Sequence, residues 1–208
     1  MSKLKKASGY RMGEGNIGMG KSKTLNRTPN HAVGEGGIFP MSYKNIILCD
    51  LDGTLANVGH RLHYLKNPDG TMKPQKERDW GSFHKACVDD APYEDVIEIV
   101  SSVFNARQDN DLYILSGRNE VVREETEAWL CKHFPDYYEP DPTVDPCVYL
   151  RMRKANDFRP DTEVKLDMVR ELGFTPNNVL CIFDDHQCVV DMWRENGFRC
   201  LQVNAWEE

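Results

Sequence analysis

Five short apolar runs, rich in β-branched residues, recur along the chain at 45–49, 112–115, 147–152, 179–183 and 199–203. Each is too short for a helix and bounded by polar or turn-forming residues, the pattern of a buried strand. Between them lie stretches of helical character at about 92–107, 119–133, 161–172 and 187–196. Asn119 and Asp161 stand where an N-cap belongs, and Gly173 and Gly197 where a helix stops. Strand and helix alternating to the C-terminus predicts an α/β fold, a doubly wound parallel sheet. Such sheets take ligands beyond the carboxyl ends of their strands, near the point where strand order reverses. The polar residues ending these runs, Asp50, Ser116 and Asp184, are therefore expected to converge.

Residues 57–91 form a long insertion between the first run and its helix. Arg61, His63, Asp79, Trp80, Phe83 and His84 make it polar but aromatic-bearing, and it is too short for a core of its own. A small cap over the site is expected. Residues 1–40 are rich in Gly, Lys, Ser and Asn without periodicity, and read as a flexible tail ahead of a folded domain at 41–208. Met41, just before the first run, is a possible alternative start. The tail carries a charge of +5 against −7 for the whole chain, leaving −12 for the rest. That balance argues against non-specific coating of nucleic acid.

The seven cysteines include no C-x-x-C pair, and several lie inside apolar runs. They fit a reducing compartment rather than a zinc knuckle or a disulfide framework. No apolar run approaches the roughly 20 residues that span a bilayer, and no signal-peptide stretch opens the chain. A cytoplasmic location without membrane attachment is expected; no protein partner can be read.

Asp50-Leu51-Asp52-Gly53-Thr54 directly follows an apolar strand. Two carboxylates two residues apart can take different roles where the chain turns, and Gly53 permits the turn. Asp50 can attack phosphorus, while Asp52 protonates the leaving oxygen and later accepts a proton from water. A plain Asp-Gly turn is the simpler alternative. Asp184-Asp185 ends the fourth run, where acidic neighbours repel unless a cation joins them. Mg²⁺ takes oxygen ligands and commonly one or two carboxylates. Asp50, Asp184 and Asp185 are its candidate ligands, with Asp52 contributing through its backbone carbonyl; alone, the acidic pair could equally cap a helix. Ser116-Gly117-Arg118 is expected to end the second strand and open a helix, offering a hydroxyl and backbone N–H groups to an anion. Lys165, four residues after Asp161, can neutralise a transferring phosphoryl group, or be an ordinary i,i+4 pair.

In this order the four pieces resemble the haloacid dehalogenase superfamily of phosphotransferases. Over residues 43–204 the chain further resembles the 3′-phosphatase domain of bacteriophage-type polynucleotide kinase, through Arg61, Ser116 to Arg118, the D-T-E-V-K segment 161–165 and V-V-D-M-W-R at 189–194. The resemblance implies a Mg²⁺-dependent phosphatase acting on a phosphorylated nucleic acid end or a nucleotide. It implies Asp50, Asp52, Ser116 and Lys165 as catalytic residues. Thr54, Arg61, Gly117, Arg118 and Asp161 are implied as substrate contacts, with Asp161 orienting Lys165.

Other readings remain open. A phosphatase of mononucleotides or other small esters shares every motif, and a binding module on the same fold would keep the fold without the reaction. Residues 15–22 satisfy G-x-x-x-x-G-K-S, but no strand precedes them and Pro29 follows closely, so a chance match is expected rather than a P-loop. His186, beside the acidic pair, can reach substrate or water. Trp80 and Phe83 can stack a base or simply bury a small cap.

Overall fold

The computed structural model describes residues 45–134 and 148–206. The expected tail, the alternative start at Met41 and the G-x-x-x-x-G-K-S segment lie outside the described residues, as does Cys147. In chain order the elements are β1 (Ile46–Cys49), β2 (Ala56–Asn57), α1 (Trp80–Lys85), β3 (Ala91–Pro92), α2 (Glu94–Asn105), β4 (Asp111–Asn119), α3 (Arg123–His133), β5 (Val148–Arg153), α4 (Asp161–Glu171), β6 (Val179–His186), α5 (Gln187–Glu195) and β7 (Cys200–Trp206). Short 3-10 turns at Gly59–Tyr64, Gln75–Glu77, Ala86–Asp89 and Glu120–Val122 fill the connections.

The five long strands form one parallel sheet, in the order β5-β4-β1-β6-β7. Because strand side chains alternate in direction, β1 serves both faces. Ile47 and Cys49 pack with Val96, Val100, Phe104, Trp129 and Leu130 of α2 and α3. Ile46 and Leu48 pack with Val169, Val189, Val190 and Trp193 of α4 and α5. Helices thus cover both faces, and the strand order reverses beside β1, where a crevice opens at the carboxyl ends. Cys49, Cys181 and Cys200 are free and buried in these layers.

Three local expectations are corrected. Ser116-Gly117-Arg118 does not open a helix: β4 continues through Asn119, where a register shift lets it keep pairing with β5 up to Arg153. Asn119 accepts from the Val121 N–H and so caps the short 3-10 turn, with α3 starting later, at Arg123. Asp161 is the first residue of α4 rather than its cap; Pro160 holds the N-cap position, where its fixed φ suits the entry. Gly173 (φ +69°) and Gly197 (φ +81°) do follow the ends of α4 and α5 in the left-handed conformation.

The insertion is closed at its base by the antiparallel pairing of β2 with β3. Asp79 caps α1 by accepting from the Ser82 N–H at 2.9 Å. Leu65, Phe83 and Cys87 are its buried apolar side chains. Among the described residues no helix is long and apolar enough to cross a membrane.

Candidate active site

In-register pairing brings the acidic strand ends together. Cys49 lies level with Phe183 of β6, so the next residues, Asp50 and Asp184, are neighbours, and the Asp50 N–H donates to the Phe183 carbonyl at 2.9 Å. Asp50, Asp184 and Asp185 are all buried, each offering a carboxylate oxygen within 4.8 Å of the others. Lys165, 3% exposed, reaches in from α4. Its Nζ lies 2.7 Å from Asp50 Oδ1 and 2.9 Å from Asp184 Oδ2. Trp193 donates its indole N–H to Asp184 Oδ2 at 3.2 Å, and Thr54 donates to Asp185 Oδ1 at 3.3 Å. Gly53 adopts φ +89°, and a Cβ there would lie 1.9 Å from Asp185 Oδ2. Both the turn and the close approach require glycine.

Three carboxylates against one ammonium leave this pocket two negative charges in excess when all are ionised. Burial, with Asp184 and Asp185 nearby, holds Asp50 well above the ordinary carboxylate range despite Lys165. Burial and Asp184 push Asp185 up to about 7. Burial pulls Lys165 down, but Asp184 and Asp50 outweigh it and hold its ammonium above the usual range. A divalent cation with a preference for oxygen relieves this excess, so the residues present fit Mg²⁺.

A second cluster adjoins the first. Arg61 of the insertion and Arg118 of β4 are both fully buried. Arg61 NH2 and Arg118 Nε donate to Asp52 Oδ1 at 2.8 and 2.7 Å. Both guanidiniums also bond Asp90: Arg61 through Nε and NH2 at 2.8 Å each, Arg118 through NH2 at 2.6 Å. His60 reaches the same carboxylate at 2.9 Å. Burial alone would raise Asp52, but Arg118 and Arg61 outweigh it and hold it below its ordinary value. Phe83 lies under Arg61, 4.1 Å from ring centroid to guanidinium carbon, so it supports that side chain and is itself 7% exposed. Burial pushes His84 down to about 4 against the pull of Asp52, so the ring is neutral near pH 7.

The remaining expected residues surround this centre. Ser116 is fully buried, and its Oγ accepts from the Arg118 N–H at 3.1 Å. A Cβ on Gly117 would lie 2.6 Å from Asp161 Oδ1. Asp161 is bonded to Arg153, not to Lys165. Arg153 also donates to the carbonyls of Gly117, Asp157 and Arg159, bracing the 153–161 loop. The backbone N–H of His186 donates to Asp184 Oδ1 at 3.3 Å. A cleft of about 860 Å³ connects these groups, with Asp50, Asp52, Lys165 and Asp185 in its walls and Leu62, Trp80 and His84 reaching it from the insertion.

Sequence reasoning missed Asp90 and Arg153. Arg153 ends the third strand and was open to the same strand-end rule as Asp50. Asp90, 29 residues from Arg61, carries no local signal.

A parallel α/β sheet with an aspartate cluster at its strand ends, a lysine reaching that cluster from α4, and an insertion after the first strand defines a haloacid dehalogenase-type phosphatase. The chain belongs to the family described as the polynucleotide kinase PNKP phosphatase domain, which matches residues 64–207. Asp50, Asp52, Thr54 and Arg61 lie ahead of the matched stretch. A protein of Autographa californica nuclear polyhedrosis virus, named for bifunctional polynucleotide kinase/RNA ligase activity, is 29% identical over 154 residues, 74% of this chain. In a solved Pnkp1/Rnl/Hen1 complex, a chain 27% identical aligns with a TM-score of 0.58 over 81% of this chain. A phosphatase-like structure from Clostridium difficile, 15% identical with a TM-score of 0.52 over 79% of this chain, shares the fold. The chain spans 18% of the viral relative's length, 49% of the chain in the complex and 87% of the clostridial one.

Proposed function

We propose that the chain removes a terminal 3′-phosphate from DNA or RNA, through a phosphoryl group carried briefly on Asp50. The observation that carries this reading is the Asp50–Asp184–Asp185 cluster with Lys165 between two of its members. The nucleic acid end is supported by family membership and by the polynucleotide kinase named in the viral relative.

Asp50, Asp184 and Asp185 would hold Mg²⁺, with the Asp52 backbone carbonyl as a further ligand. Once bound, the ion screens the phosphate's charge from the attacking carboxylate. Lys165 adds a fixed positive charge where negative charge develops. An Asp50 oxygen forms the new bond to phosphorus while the bond to the 3′ oxygen breaks. Asp52 gives that oxygen a proton, and the 3′-hydroxyl leaves. Water then attacks phosphorus, Asp52 takes its proton, and Asp50 is released with inorganic phosphate. Since Arg61 and Arg118 hold Asp52 as a carboxylate, protonation requires them to turn from Asp52 toward the phosphate oxygens.

A 3′-mononucleotide competes as substrate, because about 860 Å³ falls within the range of small-ligand clefts. Phosphate release should be measured with Mg²⁺ from 3′- and 5′-phosphorylated oligonucleotides and from 3′- and 5′-mononucleotides, using Asp50→Asn as the blank. Preference for the 3′-phosphorylated oligonucleotide, lost on chelation, is expected. Higher kcat/KM on mononucleotides favours the small-ester reading, and equal release by Asp50→Asn overturns both.

A further inference from the structure

Phe158 is 89% exposed, on the loop that joins β5 to α4. A large apolar side chain in water is ordinary when isolated on a surface. This one is neither isolated nor on slack chain. Arg153 NH1 donates to the carbonyls on either side of it, Asp157 O at 3.2 Å and Arg159 O at 2.6 Å. Arg159 bonds both carboxylate oxygens of Asp157, at 3.0 and 2.7 Å, and Asp167 of α4 at 2.6 Å. Pro160 follows and leads directly into the helix carrying Lys165. The loop therefore presents an aromatic ring on a scaffold anchored to the catalytic helix.

Six large apolar side chains are exposed among the described residues, and the two aromatic ones, Trp80 and Phe158, both line the cleft that contains Asp50. Trp80 is 44% exposed, and its ring is steadied by His84, stacked at 5.9 Å, and by Phe83, edge-on at 5.7 Å. The cleft also takes Lys66, Arg78 and Lys85 from the insertion, cations suited to a phosphate backbone in a chain that is acidic overall. Exposed aromatic faces beside cations are the elements with which proteins hold single-stranded nucleic acid, because every base offers a π-face.

We propose that Phe158 and Trp80 are stacking platforms for the bases of a single-stranded polynucleotide whose phosphorylated end lies at Asp50. The proposal rests on the functional reading above and deepens it: the substrate is recognised by base as well as by phosphate. At about 1–3 kcal/mol per stacked base, one platform changes affinity about 5- to 150-fold.

The test compares 3′-phosphorylated oligonucleotides that are intact with ones lacking the last or next-to-last base. Phe158→Ala should cut the preference for the intact end, as a ratio of KM values, about 5- to 150-fold, and Phe158→Trp should restore it. A second readout uses 2-aminopurine at the same positions, bound to protein carrying Asp50→Asn. Its fluorescence should be quenched on binding at both positions, and Phe158→Ala and Trp80→Ala should each abolish the quenching at one of them. An unchanged KM ratio with unchanged quenching overturns the proposal and leaves the phosphatase reading intact. So does a Phe158→Ala effect confined to oligomeric state, which would assign the ring to a contact between copies. If the unaltered protein releases no phosphate from any 3′-phosphorylated oligonucleotide, both fail together.

Discussion

Replacing Asp90 by alanine tests the second cluster where its energetics are sharpest. Its side chain is fully buried and accepts from Arg61 Nε and NH2, Arg118 NH2 and His60 Nε2, all between 2.6 and 2.9 Å. Removing one partner of a buried ion pair costs about 3–5 kcal/mol, because the charge left behind stays desolvated. Here each guanidinium keeps its bond to Asp52, which places the cost at the lower end, about 3 kcal/mol. In a domain of this size each kcal/mol moves Tm by about 2–4 °C, so a fall of about 6–12 °C is expected. Thermal unfolding followed by circular dichroism measures it. Asp109→Ala, which breaks an exposed pair with Arg107, serves as the control and should move Tm by no more than about 4 °C. A fall for Asp90→Ala as small as the control's would refute the view that the two buried arginines depend on this carboxylate.

Further outcomes follow from the first cluster. Gly53→Ala puts a Cβ 1.9 Å from Asp185 Oδ2 at φ +89°, so Mg²⁺ affinity measured by titration calorimetry should collapse together with turnover. Trp193→Phe removes the N–H that Asp184 Oδ2 accepts and should cost about 1.5–3 kcal/mol in denaturant unfolding, the value of a hydrogen bond to a charged group. Asp185 has its folded pKa raised from 3.8 to about 7, so the native state binds more protons than the unfolded chain between those values. Its contribution to stability is fully present below the unfolded value and is lost as pH rises through about 7. Without divalent cation the protein should therefore become less stable from pH 5 to pH 8 in urea titrations, and Mg²⁺ should flatten that slope.

Much of the fold can be read along the chain because its determinants are local. The β-branched runs leading into Asp50 and Asp184 mark buried strands, and in-register parallel pairing is enough to bring those two carboxylates together. The boundaries at Ser116 and Asp161 read wrongly for non-local reasons. β4 runs on past Ser116 because β5 offers it partners as far as Arg153, and the carboxylate of Asp161 is taken by Arg153 rather than by its own helix end. Side-chain pairing across the insertion is equally illegible. Arg61 and Arg118 stand out as anion-binding residues, yet the carboxylate that joins them, Asp90, sits at the far end of the insertion. Only the closing of β2 onto β3 brings it back.

Nucleophilic attack by Asp50 is tested most directly by quenching a reaction with a 3′-phosphorylated oligonucleotide in acid within one turnover and mapping the protein by peptide mass spectrometry. One added phosphoryl group, on the peptide containing Asp50, stable in acid and released by hydroxylamine, is the expected result, with none in Asp50→Asn. Accumulation of product while no phosphoprotein forms at any quench time, together with undiminished turnover by Asp50→Asn, would contradict it.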